Sequence, residues 1–254
     1  LKEGRNLARA SDIAVSEYSA HLDYSSIAAL QYTGGTTGVS KGAVLTQGNL
    51  VMNMAQAMVW MDSHVKKGEE VVLTAIPTYH ILAFTLNLLG FFWLGNRNLL
   101  IPNPRPLQNV KRAFENYKVT WVVGVNTLFN GLMNEFWFYE RPPKHLKASF
   151  AGGMALHSAV ADRWLEMTGT PIVEGYGLTE TSPIATGNPI GSSRLGTIGL
   201  PMPSTDVRIL DDNGVELPAG EAGEICVKGP QVMAGYWRKP DETAKVMTKD
   251  GFFR

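Results

Sequence analysis

Hydrophobic and polar positions along this chain follow two rhythms, and the change from one to the other divides it. From Ser25 onward, short β-type runs alternate with stretches whose apolar residues recur at helical spacing. Ile27–Tyr32 is mostly apolar and meets a Gly/Thr loop, after which Asn49–Trp60 recurs apolar at helical spacing. Glu70–Ile76 reads as a strand ended by Pro77, Ile81–Leu94 as a buried helix, and Asn98–Ile101 as a short strand. Leu107, Val110, Phe114 and Tyr117 mark a helix face at i, i+3, i+7 and i+10. Val119–Val125 is β-rich, Leu128–Phe138 helical, and Leu146–Ala151 leads as a strand into Gly152-Gly153. Leu156, Val160 and Trp164 line the next helix, and Pro171–Val173 is one more strand, running into Glu174-Gly175-Tyr176-Gly177. Strands separated by helices of about ten or more residues imply βαβ units and a mostly parallel sheet.

The second rhythm begins after Gly196. Thr205–Leu210, Val215–Leu217 and Gly223–Lys228 read as strands joined by Asp212-Asn213-Gly214 and Pro218-Ala219-Gly220. Asn-Gly between β-type runs is a strong hairpin signal. The expected fold is therefore α/β, a mostly parallel sheet with flanking helices over residues 1–193. A small antiparallel β subdomain, distorted and barrel-like, follows over residues 194–254, with the boundary near 190–196.

Composition narrows the classes. Hydrophobic residues make up 44% of the 254 and charged residues 18%, which excludes disorder. Lys plus Arg total 23 and Asp plus Glu total 23, so no basic excess points to nucleic acid. A single cysteine, Cys226, excludes an internal disulfide and suits a reducing compartment, the cytoplasm. Ile81–Leu94, the longest apolar run, is shorter than the ~18–20 residues a bilayer crossing needs. No signal or transit peptide is legible, and a start without Met with an end at Gly251-Phe252-Phe253-Arg254 reads as a segment of a longer protein.

The sharpest chemical signal is Tyr32-Thr33-Gly34-Gly35-Thr36-Thr37-Gly38-Val39-Ser40-Lys41-Gly42, expected between a strand and a helix. Its glycines let bare backbone N–H groups approach an anion, its hydroxyls add donors, and Lys41 adds a point charge. It matches neither Walker A, since Gly42 follows Lys41, nor GxGxxG, since Gly34 and Gly35 are adjacent. A generic Gly-rich loop is as often a plain turn, but four hydroxyls beside one lysine favour a polyphosphate.

This loop resembles the signature of the adenylate-forming enzymes, which include acyl-CoA synthetases, luciferases and peptide-synthetase adenylation domains. Three further motifs agree in order and spacing: Pro77-Thr78-Tyr79-His80, Glu174-Gly175-Tyr176-Gly177-Leu178-Thr179-Glu180-Thr181, and Gly223–Gly229 continuing to Gly235-Tyr236-Trp237. The resemblance runs from about Leu22 to the end. Within the superfamily the chain looks most like bacterial long-chain fatty acid–CoA ligases, closest at Gly124–Asn130 and Lys228–Met233.

The resemblance implies an AMP-forming acid–thiol ligase. A carboxylate would attack the α-phosphorus of ATP and release pyrophosphate, and the thiol of CoA would then attack the acyl carbonyl of the acyl-adenylate and release AMP. It implies that Thr33, Gly34, Gly35, Thr36, Thr37, Gly38 and Lys41 close over the phosphates, with Thr33 near Mg²⁺. Glu180 would hold Mg²⁺, which prefers one or two carboxylates plus phosphate oxygens; Thr179 would touch the α-phosphate. Gly152, Gly153, Met154 and Glu174, Gly175, Tyr176, Gly177, Leu178 would surround the adenine. His80 would sit at the carboxylate end of an acyl site with Ile81 and Phe84 as walls and Gly124, Val125 and Asn126 opposite. Catalytic roles fall to Thr179, Glu180, Lys41 and His80. Taken alone, a Thr-Glu pair is more often a helix start, a Gly-Gly pair a turn, and a single histidine structural.

The family's ribose aspartate, hinge and C-terminal lid lysine have no counterpart here, nor has the N-terminal part of its first subdomain, so the segment alone is expected to be inactive. The aromatics Phe91, Phe92, Trp93, Phe136, Trp137 and Phe138 fit a core better than a membrane-facing patch. A fatty acid substrate nonetheless makes peripheral contact with the inner membrane face worth testing, and a homodimer is compatible. Rival readings are a ligase for an aryl, short-chain or amino acid, and a non-catalytic nucleotide-binding module. An amino-acid-activating domain usually places an aspartate after the strand-end aromatic, and Tyr79-His80-Ile81 has none.

Overall fold

The computed structural model describes residues 21–33 and 40–254. β1 (Ile27–Tyr32) and β2 (Gly42–Thr46) pair antiparallel, with Tyr32 opposite Gly42. The Gly/Thr loop thus joins two strands and does not lead straight into a helix. Ala43-Val44-Leu45 is a β-type run, and burial of Ala43 and Leu45 gives it a reason to stay extended. α1 (Gln47–Trp60) starts only afterwards. The Thr46 hydroxyl accepts from the Asn49 N–H while the Asn49 side chain accepts from the Thr46 N–H, a reciprocal N-terminal cap.

The large sheet then builds up from β3 (Val71–Thr74), β4 (Arg97–Leu100), β5 (Trp121–Gly124), β6 (Ala148–Ala151), β7 (Ile172–Gly177), β8 (Ile184–Gly187) and β9 (Leu200–Pro201). Its spatial order is β4-β3-β5-β6-β7-β8-β9. The first five are parallel; β8 and β9 add on antiparallel. The chain moves outward from β3 to β4 and then crosses back to β5, so the strand order reverses between β3 and β5. In such sheets ligands bind at the carboxyl ends of the strands, near the reversal.

Successive strand residues face opposite sides, and both sides are buried. Leu73 and Val122 meet α2 (Gln108–Asn116), α3 (Asn126–Asn134) and α5 (Ser158–Thr168), through Val110, Phe129, Leu132 and Trp164. Val72, Trp121 and Val123 face α1 and the Ile81–Leu94 helix, through Ala57, Met61, Leu86 and Phe91. That helix forms where its apolar run places it, but Ala83–Phe91 takes the wider π geometry. The single helix expected over Leu128–Phe138 is broken at Glu135, whose backbone is extended, giving α3 and α4 (Phe136–Glu140). The break lets Phe129 on one piece and Phe138 on the other both pack against Trp164. Of the expected aromatic cluster, Phe91 and Phe138 are core, whereas Phe92, Trp93 and Phe136 are exposed.

At the amino ends of the strands lies a buried carboxylate. Glu70 Oε2 accepts from the Trp121 indole N–H at 3.0 Å, and Oε1 accepts from the Lys66 amide at 2.8 Å and pairs with Lys147. Burial pushes its pKa up, but Lys147, the Lys66 amide and Thr120 outweigh burial and leave it below the usual glutamate value.

In the tail, β10 (Asp206–Leu210) pairs antiparallel with β11 (Glu224–Lys228). The expected strand Val215–Leu217 contributes a single bridge, Leu210 to Glu216, although Leu217 N–H also bonds Ile209. Asp211 shapes the turn, its Oδ1 accepting from the Asn213 and Val215 amides. β12 (Gly235–Tyr236) returns to pair with β2, and α6 (Pro240–Val246) follows. Among the described residues, no helix is long and apolar enough to cross a membrane.

Candidate active site

A cavity of about 560 Å³ opens at the carboxyl ends of β6 and β7. One wall is backbone-rich: Gly152 and Gly153 after β6, and Glu174 to Thr179 along β7 and beyond it. The lining also includes His80, Ile81 and Leu82, and an apolar back of Ala57, Trp60, Met61, Leu86, Phe150 and Met202 that packs as one hydrophobic cluster. A flat polar strip and an apolar back thus share one space.

Local sequence explains the strip. Gly177 must be glycine, because a Cβ there would lie 1.8 Å from the Pro183 carbonyl oxygen as β8 passes. Gly153 has φ +80°, the left-handed region open to glycine, and nothing stands within 4 Å of its missing Cβ. Glu174 holds two neighbouring loops, its Oε1 accepting from the Leu156 amide and its Oε2 from the Gly196 amide. Tyr176 borders the cavity, and burial, followed by the charge of Glu180, pushes its phenol above the ordinary tyrosine value.

His80 stands at the cavity mouth with one side in solvent. The Leu82 amide donates to its Nδ1 at 3.2 Å, so the neutral ring carries its proton on Nε2. Loss of hydration pulls its pKa below the usual histidine value, favouring that neutral form. Thr179 lies on the cavity at the head of the short turn Thr179–Thr181. That turn is capped by Thr181, whose hydroxyl accepts from the Leu178 amide, which leaves the Thr179 hydroxyl without a bond among the described residues.

Glu180 is buried beside the cavity and does not line it. The Tyr236 hydroxyl donates to its Oε1 at 2.6 Å, and its Oε2 has no partner among the described residues. Lys41 Nζ sits 4.6 Å above the Tyr236 ring and 3.3 Å from Glu242 Oε2. Thr33 and Lys41 close the base of the Gly/Thr loop, the Thr33 amide donating to the Lys41 carbonyl at 2.9 Å. Gly34, Gly35, Thr36, Thr37 and Gly38 lie outside the described residues.

The remaining expected positions lie off the cavity lining. Phe84 packs with Ala43, Leu45, Leu50 and Ile81. Gly124 faces Leu128 and Phe129, Val125 precedes α3, and Asn126 Oδ1 accepts from the His157 amide. Met154 is exposed.

Residues 2–237 match the profile of the family described as AMP-binding enzyme. The chain belongs to the AMP-binding enzyme family. Among curated relatives it is 49% identical over 224 residues to a long-chain-fatty-acid–CoA ligase of Yersinia pestis, covering 88% of this chain and 40% of that protein. It is 48% identical over 227 residues to the ligase of that name from Salmonella typhimurium, covering 89% and 40%. ATP-bound MatB from Rhodopseudomonas palustris superposes with a TM-score of 0.83 at 30% identity, over 91% of this chain and 45% of that one. O-succinylbenzoate CoA synthetase from Bacillus subtilis with ATP and magnesium gives 0.81 at 26% identity, over 92% and 47%. The chain spans about 40% of the length of the curated relatives it matches.

Members of the AMP-binding family use ATP, and the donor set here suits a magnesium that arrives on a nucleotide. No group of three or more His, Cys, Asp or Glu residues is poised to hold a free metal among the described residues. Glu180 offers one carboxylate oxygen without a partner among the described residues, which is the share a protein usually gives to phosphate-bound magnesium.

Two parts of the site were not read from the sequence. Trp60, at the end of α1, and Met61, just after it, line the cavity, although helical spacing shows only that α1 has a buried face. The Trp60 indole donates to the Asn188 carbonyl at 3.2 Å, tying α1 to the segment after β8. The run Ile184-Ala185-Thr186-Gly187 was the available signal for β8, masked by Pro183 before it.

Proposed function

We propose that this chain is the nucleotide- and carboxylate-binding part of an ATP-dependent long-chain fatty acid–CoA ligase. In this reading the whole protein converts a fatty acid to its acyl-adenylate and then, with CoA, to the thioester. The observation that carries it is a single cavity with a glycine-rich backbone strip on one wall and an apolar back closed by Trp60, Met61, Leu86 and Met202. The strip fits a planar base and the apolar back fits a hydrocarbon chain. Between them, His80 presents an Nε2–H donor where the acid's carboxylate would lie.

Thr33, Gly34, Gly35, Thr36, Thr37, Gly38 and Lys41 would supply phosphate donors, Thr179 would meet the α-phosphate, and Glu180 with Thr33 would hold the magnesium. When bound, that ion draws charge from the phosphate oxygens. The protein's share is orientation: β7 holds the strip, and the neutral His80 aligns the acid without competing for a proton. The names of the Yersinia and Salmonella relatives support the long-chain substrate. Phe84 and Gly124–Asn126 belong to the same proposal as a more distant part of the acyl path. The division into residues 1–193 and 194–254 is likewise proposed, supported by the separate β10–β11 pair. We place the protein in the cytoplasm, with peripheral contact at the inner membrane face through exposed Phe92 and Trp93.

The test is ATP–pyrophosphate exchange by the whole protein with a panel of carboxylic acids. Exchange driven by hexadecanoate far above acetate, ferulate or amino acids supports the reading. Exchange driven best by an aryl acid would replace the substrate while keeping the chemistry.

A further inference from the structure

Tyr236 belongs to the tail, far in sequence from the Glu180 it touches, and several independent bonds put it there. β12 pairs with β2, setting Tyr236 opposite Ala43 and Gly235 opposite Val44. The Met233 amide donates to the Glu180 carbonyl at 2.8 Å. From α1, the Asn49 side chain donates to the Pro230 and Val232 carbonyls at 2.8 and 2.9 Å. Gln231, fully buried, donates to the Thr205 hydroxyl at 2.7 Å and accepts from Gln56 at 3.3 Å. The tail cannot drift without breaking these bonds together.

The two ends of the Tyr236 side chain meet opposite charges. Its hydroxyl donates to Glu180 Oε1 at 2.6 Å, while its ring face carries the Lys41 ammonium at 4.6 Å. Lys41 finds its carboxylate in Glu242, at 3.3 Å. The ring therefore separates a lysine from a buried carboxylate that would otherwise attract it. A Lys41–Glu180 pair would neutralise the charge that a cation needs and withdraw the lysine from the loop base. A carboxylate with one oxygen already bonded also has little freedom to rotate, so its second oxygen keeps one direction.

We propose that Tyr236 is a positioning residue of the nucleotide site: it fixes Glu180 with one oxygen free for magnesium and keeps Lys41 from pairing with it. This rests on the reading of Glu180 as a magnesium-binding carboxylate.

The test is Tyr236→Phe in the whole protein, which keeps the ring, the β12 backbone bonds and the packing against Ala43 and Leu45. Calorimetry would measure ATP binding with magnesium and with chelator, alongside the magnesium concentration for half-maximal binding. Loss of a charge-assisted hydrogen bond predicts that this concentration rises by about tenfold to a hundredfold. Affinity for metal-free ATP should stay within about twofold, since the hydroxyl acts through the carboxylate. In a Glu180→Gln background, Tyr236→Phe should change the magnesium dependence by less than about twofold. An unchanged magnesium requirement, an equal shift in the Glu180→Gln background, or loss of the cooperative melt in Tyr236→Phe would each overturn the proposal. If Glu180→Gln alone left magnesium dependence intact, the underlying assignment of Glu180 would fail instead.

Discussion

Glu70→Gln puts a number on the buried carboxylate at the amino ends of the strands. Glu70 satisfies three donors with two oxygens: Lys66 N–H and Lys147 at Oε1, and the Trp121 indole at Oε2. Glutamine keeps the shape but has one oxygen, so its amide N–H₂ must face at least one donor. If the oxygen stays with Lys66 and Lys147, the fully buried Trp121 N–H loses its acceptor, at about 1–3 kcal/mol. The Lys147 side chain is 36% exposed, so its share is that of a screened pair, about 0–1 kcal/mol. The expected loss at neutral pH is about 1–4 kcal/mol, a fall of roughly 5–10 °C in Tm near the middle of that range.

The pH dependence supplies a second check. Glu70 has a lowered pKa in the folded state, so its stabilisation is present above the unfolded carboxylate value, about 4.3, and is lost as pH falls through the folded value. Glutamine does not titrate, so the gap between the two proteins should narrow on acidification. Urea unfolding followed by tryptophan fluorescence at pH 7 and near pH 3.5 measures both. A gap under about 0.5 kcal/mol at pH 7 would refute the reasoning, and so would a gap that stays constant with pH.

Three further outcomes are expected. Gly177→Ala should break the β7–β8 approach, because the added Cβ would lie 1.8 Å from the Pro183 oxygen; a melting temperature and ATP affinity both near wild type would contradict that geometry. Glu180→Gln should slow acyl-adenylate formation by more than about threefold, or ~0.7 kcal/mol of barrier, while leaving the fold cooperative; pre-steady-state pyrophosphate release by the whole protein checks it. Phe84→Ala should change the preference between octanoate and palmitate if the acyl path runs past the cavity toward β2. An unchanged preference with a lowered Tm would confine Phe84 to its packing with Leu45 and Ile81.

The parallel strands and their helices were legible because both faces of the sheet are buried. Runs such as Trp121–Gly124 read as β whatever their neighbours, and Val110 and Trp164 fell where helical periodicity put them. Less legible was anything that depended on a partner distant in sequence. Ala43–Leu45 is too short to announce a strand without β1 and β12 beside it. The break at Glu135 exists so that Phe129 and Phe138 can share Trp164, a tertiary reason invisible to local periodicity. The same holds at the site. The Gly-Tyr-Gly strip and His80 carried local signals, and the structure puts them on one cavity. Tyr236 carries only the local signal of its Gly-Tyr-Trp motif, since nothing in its neighbours points to Glu180.

The pairing of β12 with β2 has a consequence for how the protein is made. Val44 and Gly235 stand near opposite ends of the described chain, so one edge of β2 has no partner until the tail has left the ribosome. At about 5–20 residues per second, that wait is on the order of ten to forty seconds. Meanwhile Ala43 and Leu45, buried in the finished fold, sit on an open edge that a neighbouring nascent chain can pair with. Slower synthesis lengthens the time that this edge stays open.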